Sequence, residues 1–358
     1  MPRPYLEIDL AKIEHNARSI TRLCAAHGVA VTGVTKGTCG APEVARAMLR
    51  GGATSIGDSR TENLARLREA GVDGPLLLLR IPPLSRVEEV VALAHLSLES
   101  ELRVLAAVSE AALRRGRVHP VIVMVDLGDL REGVWPDDVI PFAREVLALP
   151  GVRLVGLGAN LTCYGGVAPT ARNMGLLVAC AEAVERSLGI PLAWISGGNS
   201  SALPLLAAGG MPARVNHLRI GEAILLGRET VHRTTWPGTF QDAFRLHAEV
   251  IELKEKPSVP IGERGEDAFG HVPAFADAGA RRRALVNVGR EDVEVEALAP
   301  CDPHVAVLGA SSDYLIVDVT AIEDRVRVGD ELVFAPGYGA LLAAMDSAYV
   351  EKRYRGAP

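Results

Sequence analysis

The chain has 358 residues, 48% of them hydrophobic and 23% charged, with a formal net charge of −6. Such a length buries a large core and argues for two domains, or for one large barrel with a smaller unit. The acidic balance and the lack of any long basic block argue against a nucleic-acid surface, and no apolar run approaches the ~18 residues of a membrane span.

The opening stretch MPRPYLEIDL has no signal-peptide core. The five cysteines (Cys24, Cys39, Cys163, Cys180 and Cys301) are odd in number and contain no CxxC, so neither a disulfide framework nor a metal set is expected. These features lead us to expect a cytoplasmic protein without a membrane or nucleic-acid partner.

Asp9 can cap a helix over 10–27, with Ile13, Ala17, Ile20 and Leu23 on one face and Gly28 ending it. Strand patterns then recur at 29–36, 54–57, 76–80, 96–98, 120–126, 153–160, 192–196 and 217–220. Most are separated by amphipathic stretches, at 41–49, 60–70, 99–115, 136–147 and 169–188. Eight strands alternating with helices predict a parallel (β/α)8 barrel, and no unit carries the Gly-x-Gly-x-x-Gly turn of a dinucleotide-binding open sheet. Runs such as VIVMV and PLLLL read as strands covered on both faces.

Beyond Gly227 the texture changes. Residues 244–254 alternate as a half-buried strand does, 256–279 read as a long loop, and 284–288, 305–308, 315–319 and 331–334 are further strands. The expected fold is α/β, with a barrel over 10–230 followed by a smaller, mostly antiparallel β domain over 231–358 that also takes in residues 1–9.

Barrel chemistry sits at the C-terminal ends of the strands. There the sequence places Lys36 after the first strand and DLGDLREG (126–133) after the fifth. NLTCYGG (160–166) follows the sixth, SGGNSS (196–201) the seventh, and Arg219 to Glu222 lie at the eighth. The glycine-serine loop offers backbone N–H groups and hydroxyls to a phosphate, and Gly221 adds a second close backbone. A lysine in a dry pocket can form a Schiff base. An aldehyde for the lysine and a phosphate for the loops together suggest pyridoxal phosphate.

The segments YLEIDLAKIEHNARSI, GVTKGTCG, GDSRTENL, VMVDLGDLREGVW, GLGANLTCYGG, ISGGNSS, LRIGEAILLGRET, KEKPSVPIGE and GASSDYLIVDV run through almost the whole chain. In them the sequence resembles the alanine racemase-like family of pyridoxal phosphate enzymes, most nearly its ornithine racemase branch. The resemblance implies a racemase of a basic amino acid such as ornithine, built as a homodimer with shared active sites. Another reaction of the same cofactor, by a D-threonine aldolase-like lyase or an amino-acid decarboxylase, is the alternative.

Carried over by residue, the resemblance makes Lys36 the lysine that bonds the cofactor and Arg131 its partner at the phenolic oxygen. Asn160 would lie against the ring. Asn199, Ser200, the backbone of Gly221 and Glu222, and Tyr338 would lie around the phosphate, and Arg219 would face the pyridine nitrogen. The family's second acid/base, a tyrosine, is replaced by Arg290, which leaves Tyr314, Asp313, Asp292 and Cys301 as candidates from the β domain, with Cys163 and Tyr164 from the barrel. Met124 stands where alanine racemases carry a modified lysine. The small residues after Lys36, with Gly40 in place of a phosphate-binding tyrosine, suggest a roomier pocket. No carboxylate stands out to receive a distal substrate ammonium: Asp58, Glu62 and Asp129 are candidates that read no better than solvated surface carboxylates.

Overall fold

A computed structural model describes residues 3–356. Residues 10–241 form one compact unit, and residues 3–9 together with Asp242–Arg355 form the other.

The first unit opens with α1 (Leu10–Ala26), whose Leu10, Ile13, Ala17 and Ile20 are buried. Eight parallel strands follow: β2 (Ala30–Val34), β3 (Ser55–Asp58), β4 (Leu76–Leu78), β5 (Leu96–Glu99), β6 (His119–Met124), β7 (Val152–Gly158), β8 (Trp194–Ser196) and β9 (His217–Ile220). They close into a barrel, with β9 pairing back onto β2. Helices α2 (Pro42–Arg50), α3 (Thr61–Glu69), α4 (Val87–Leu93), α5 (Leu102–Arg114), α6 (Val139–Leu147), α7 (Ala171–Leu188), α8 (Leu203–Ala207) and α9 (Glu222–Leu226) intervene.

Alternation along the strands sorts the side chains into two layers. Leu77, Leu96, Leu98, Ile122 and Met124 pack together inside the barrel. Val121, Val123 and Val125 face outward onto Leu105 and Val108 of α5, Ala143 of α6, and Leu177 and Val184 of α7. Each such fully buried aliphatic contributes roughly 1.5–3 kcal/mol. The strands are shorter than the apolar runs predict. β4 stops at Leu78, and β2 stops at Val34 before a single 3-10 turn, Lys36–Thr38.

The second unit is antiparallel around β10 (Phe244–Pro257), which pairs with β11 (Ala280–Val286) and β15 (Glu331–Pro336). β12 (Leu298–Pro300) extends the sheet beyond β15, and β14 (Leu315–Asp318) then β13 (Ala306–Ala310) extend it beyond β11. The helix α10 (Tyr338–Asp346) follows β15. β1 (Tyr5–Asp9) joins β10 antiparallel and β16 (Glu351–Arg355) parallel.

The sequence reading found neither β1 as a strand nor β16. β1 alternates correctly, with Leu6 and Ile8 buried, but it is only five residues long and runs straight into a helix. β16 has no apolar face; backbone pairing, an Arg355–Glu7 contact at 2.8 Å and Arg353 over the Tyr5 ring accompany it. The long predicted loop survives as 258–279, tied at its base by Ser258 N–H donating to Gly279 O.

Candidate active site

The turn after β2 is set by a buried carboxylate. Asp58 accepts from Thr35 Oγ1 (2.8 Å), Asn63 Nδ2 (2.9 Å) and the Arg60 N–H (3.1 Å). Burial raises its pKa against the pull of these donors. Asp58 is therefore internal scaffolding that fixes Thr35, the neighbour of Lys36, rather than a surface carboxylate. Glu62 by contrast is exposed and pairs with Arg86. Gly40 has φ +63°, and a Cβ there would come within 2.6 Å of Asn63 Cβ. Its small size admits close packing of Asn63, so the reason for a glycine here is scaffold packing rather than pocket volume.

The loop after β6 turns back on itself. Asp126 Oδ1 accepts from the Gly128 and Leu130 N–H groups, and Val134 N–H returns to Met124 O at 2.8 Å. A Cβ at Gly133 would sit 2.3 Å from Asp126 N, so the ring closes only on glycine. It presents Arg131 and Glu132, whose side chains pair at 2.6 Å.

Asp129 of the same loop organises the next one. Its carboxylate accepts from the N–H groups of Thr162, Cys163, Tyr164 and Val167, all at 3.0–3.1 Å. Burial pushes its pKa up, but the four donors outweigh that and hold it below the ordinary value. It too departs from its reading as a surface carboxylate. The loop it holds carries Asn160 and Cys163, and Asn160 Nδ2 donates to Cys163 Sγ at 2.9 Å. Asn199 Nδ2, from the loop after β8, donates to Asn160 Oδ1 (3.1 Å), to Leu161 O (2.9 Å) and, at 3.5 Å, to Cys163 Sγ.

Gly198 reaches φ +114°, a conformation open to glycine, and leads into Asn199, whose Oδ1 accepts the Ser201 N–H. Ser200 Oγ accepts the Ala223 N–H at 3.1 Å, joining the loops after β8 and β9. The buried Ser201 Oγ has no hydrogen-bond partner. Glu222 pairs with Arg233, and burial raises its pKa.

Arg219 is buried at the end of β9 and donates to Ser196 Oγ and to Ala159 O (2.7 Å). Burial lowers its pKa to about 10, which still leaves it charged at neutral pH. Beneath it His217 is held between Ser196 Oγ (2.8 Å) and Thr32 Oγ1 (2.7 Å), and Thr32 continues to Ser55. Burial, then the charge of Arg219, lowers the His217 pKa to about 3, so the imidazole is neutral.

Lys36, Arg131, Asn160, Asn199 and Arg219 all line one cavity of about 470 Å³ at the barrel mouth. Ser200, Gly221 and Glu222 stand on the adjoining loops. The polar residues that sequence reasoning missed on this lining are Ser59, Arg80 and Glu132. Arg80 had a legible signal, a charged residue ending the LLLL run; Ser59 and Glu132 had none beyond standing next to loop residues already noted. Lys36, Arg80, Arg131 and Arg219 make the lining strongly cationic, with Glu132 as its one carboxylate, so it suits anionic groups.

Arg290, Asp313, Tyr314 and Tyr338 belong to the second unit. Arg290 pairs with Glu296 and lies over Phe269. Ser312 Oγ donates to Asp313, Tyr314 is half exposed, and Tyr338 begins α10. Asp292 is buried, taking the Gly289 N–H and the Ser347 hydroxyl. A larger, open recess of about 1080 Å³ in this unit is lined by Cys301, Asp302, His304 and Arg325 among others; it holds no lysine, and its Asp302–Arg325 pair is solvent-exposed. The smaller barrel cavity is the one with convergent reactive groups.

A family model described as alanine racemase, N-terminal domain, matches residues 8–229. The chain belongs to the alanine racemase family. Among its relatives in that family, an ornithine racemase of Acetoanaerobium sticklandii is 41% identical over 350 residues, covering 98% of this chain and 99% of that protein. A lysine racemase of Thermotoga maritima is 41% identical over 354 residues, covering 99% of each. Among solved structures, the alanine racemase from Streptomyces lavendulae superposes with a TM-score of 0.77 at 22% identity, over 100% of this chain and 98% of that one. The D-threonine aldolase from Filomicrobium marinum gives 0.73 at 17%, over 96% and 89%. At such identities these two structures speak to the barrel-plus-sheet fold that the family shares. No helix of the described residues is long and apolar enough to cross a membrane.

Proposed function

We propose that this protein is a pyridoxal phosphate-dependent amino-acid racemase that interconverts the L and D forms of a basic amino acid such as ornithine or lysine. The observation that carries the reading is the convergence of Lys36, Arg131 and Arg219 on one cationic cavity at the barrel mouth, in a chain with two 41%-identical relatives named for those substrates.

The residues present fit the cofactor. Ser201 offers a buried hydroxyl with no partner beside the glycine-bearing loop, as a phosphate site requires. When bound, pyridoxal phosphate supplies a conjugated ring that acidifies the substrate Cα–H. Lys36 would hold the aldehyde carbon, Asn199, Ser200 and Ser201 the phosphate end, and Arg131 the phenolic oxygen, with Asn160 against the ring. Arg219 keeps its own proton at neutral pH and would donate to the ring nitrogen, leaving that nitrogen without a proton of its own. This limits how much negative charge the ring draws away from Cα and favours return of a proton there over transamination. Arg290, Asp313 and Tyr314 are assigned to the neighbouring site in a cytoplasmic homodimer, and sedimentation of the active species tests the dimer.

The test of the function is direct. The holoenzyme, incubated with L-ornithine or L-lysine, should yield the D form on chiral chromatography and should absorb near the visible edge. Lys36→Ala should lose both the band and the conversion. Racemisation by Lys36→Ala at the wild-type rate would sink the assignment.

A further inference from the structure

Inverting Cα needs one group that removes a proton and another that returns one from the opposite side. Lys36 is the first, and the lining of its cavity narrows the second. Arg80, Arg131 and Arg219 do not surrender protons at neutral pH. Asn160 and Asn199 do not titrate, and the Glu132 carboxylate is engaged by Arg131. Among this chain's own lining residues, the groups left with a proton on oxygen or sulfur are Ser59 and Cys163, and a thiol gives up its proton far more readily than an aliphatic hydroxyl.

Its setting suits the task. Cys163 is exposed, so its sulfur is accessible. Two amide N–H groups, from Asn160 (2.9 Å) and Asn199 (3.5 Å), point at that sulfur and hold it in place. Arg219 lines the same cavity. Asp129 clamps the backbone of residues 162–164, with Thr162 held at φ +63°, so the thiol is presented from a fixed loop. A strained residue held in this way is a feature of working sites.

We propose that Cys163 is the second proton-transfer residue of the racemase, alternating with Lys36. In one direction the Lys36 amine takes the Cα proton and the Cys163 thiol gives its proton to the other face, leaving an ammonium and a thiolate. In the reverse direction the thiolate takes the proton and the ammonium gives one. Protons and charge balance without a further reactant.

This rests on the racemase reading, and one experiment separates the two. Wild-type holoenzyme and the Cys163→Ala and Cys163→Ser variants are incubated in D2O with L-ornithine and, separately, with D-ornithine. Cα–H exchange is followed by NMR and inversion by chiral chromatography. The variants are expected to lose inversion by at least about 100-fold while still exchanging Cα–H of one enantiomer within about three-fold of wild type. Inversion by Cys163→Ala within about three-fold of wild type overturns the proposal. So does equal loss of exchange from both enantiomers, the signature of a merely structural role. Iodoacetamide labelling of Cys163 in the wild-type holoenzyme, located by peptide mass spectrometry, should slow when L-ornithine is saturating; unchanged labelling also overturns it. Wild type that inverts neither ornithine nor lysine removes the racemase reading itself.

Discussion

Two buried polar clusters in the barrel unit make opposite use of similar residues. One is the interior column beneath the cavity: Arg219, Ser196, His217, Thr32 and Ser55, each bonded to the next. The other lies on the outward face of β5 and β6. There Ser97 donates to Glu99 at 2.7 Å and contacts His119 at 3.1 Å, but Glu99 Oε2 and His119 Nδ1 find no partner. In the column a neutral histidine bridges two hydroxyls and holds up a charged arginine. In the outer cluster burial drives the Glu99 pKa up to about 8 against its single donor, while burial, then the neighbouring Arg117 and His95, drives that of His119 down to about 4. Burial is comparable in the two places, and what separates them is completion of the hydrogen bonds.

The largest effect should follow from breaking the top of the column. Arg219→Met keeps a long side chain but removes the donors to Ser196 and Ala159, and kcat/KM for racemisation should fall by about 100-fold or more. Steady-state kinetics checks this, and a near-wild-type value would mean that the column is structural only.

Next comes the middle of the column. Thr32→Val removes the hydroxyl shared by His217 and Ser55 and should cost about 1–3 kcal/mol in urea unfolding. If the loss is negligible, the column's completeness is not what stabilises it.

The smallest change is on the other side of the comparison. Glu99 holds its proton more tightly in the folded state than in the unfolded one. Its contribution to stability is therefore fully present below pH 4.5, where both states hold the proton, and is lost progressively up to about pH 8. His217 and His119 act in the other sense. Their folded values lie below 6.5, so stability declines as pH falls from 6.5 toward about 3 and 4 respectively. Glu99→Gln should accordingly flatten the alkaline loss of stability between pH 5 and pH 9 and leave the acid limb and the racemase rate alone. Unfolding curves that fall equally steeply at high pH in both proteins would show that Glu99 is not held protonated.

Much of this was legible in the sequence, for physical reasons that differ from place to place. Buried parallel strands demand unbroken apolar runs, so the eight barrel strands could be found within a few residues of their ends. Strand ends that turn into a cavity could not. Leu79 and Arg80 leave the sheet to line the site, and nothing in the run LLLLR says where pairing stops. Lys36 and Arg219 stood out because charge at the end of an apolar strand is costly. Asp58 and Asp129 did not, because a carboxylate satisfied by side-chain and backbone donors inside the protein looks the same in sequence as one in water. β16 escaped because its residues, EKRYR, pair through backbone and charge with no buried face to announce them.

The pairing of β1 has a consequence for how the molecule is made. β1 is synthesised before the whole barrel, while its two partners, β10 and β16, emerge after it. At ~5–20 residues per second of synthesis, the barrel segment 10–241 is complete while residues 5–9 still wait for a neighbour. The sheet unit can close only when the last strand has left the ribosome. A nascent chain arrested once residue 241 has emerged would thus carry a finished barrel tethered to an unpaired strand.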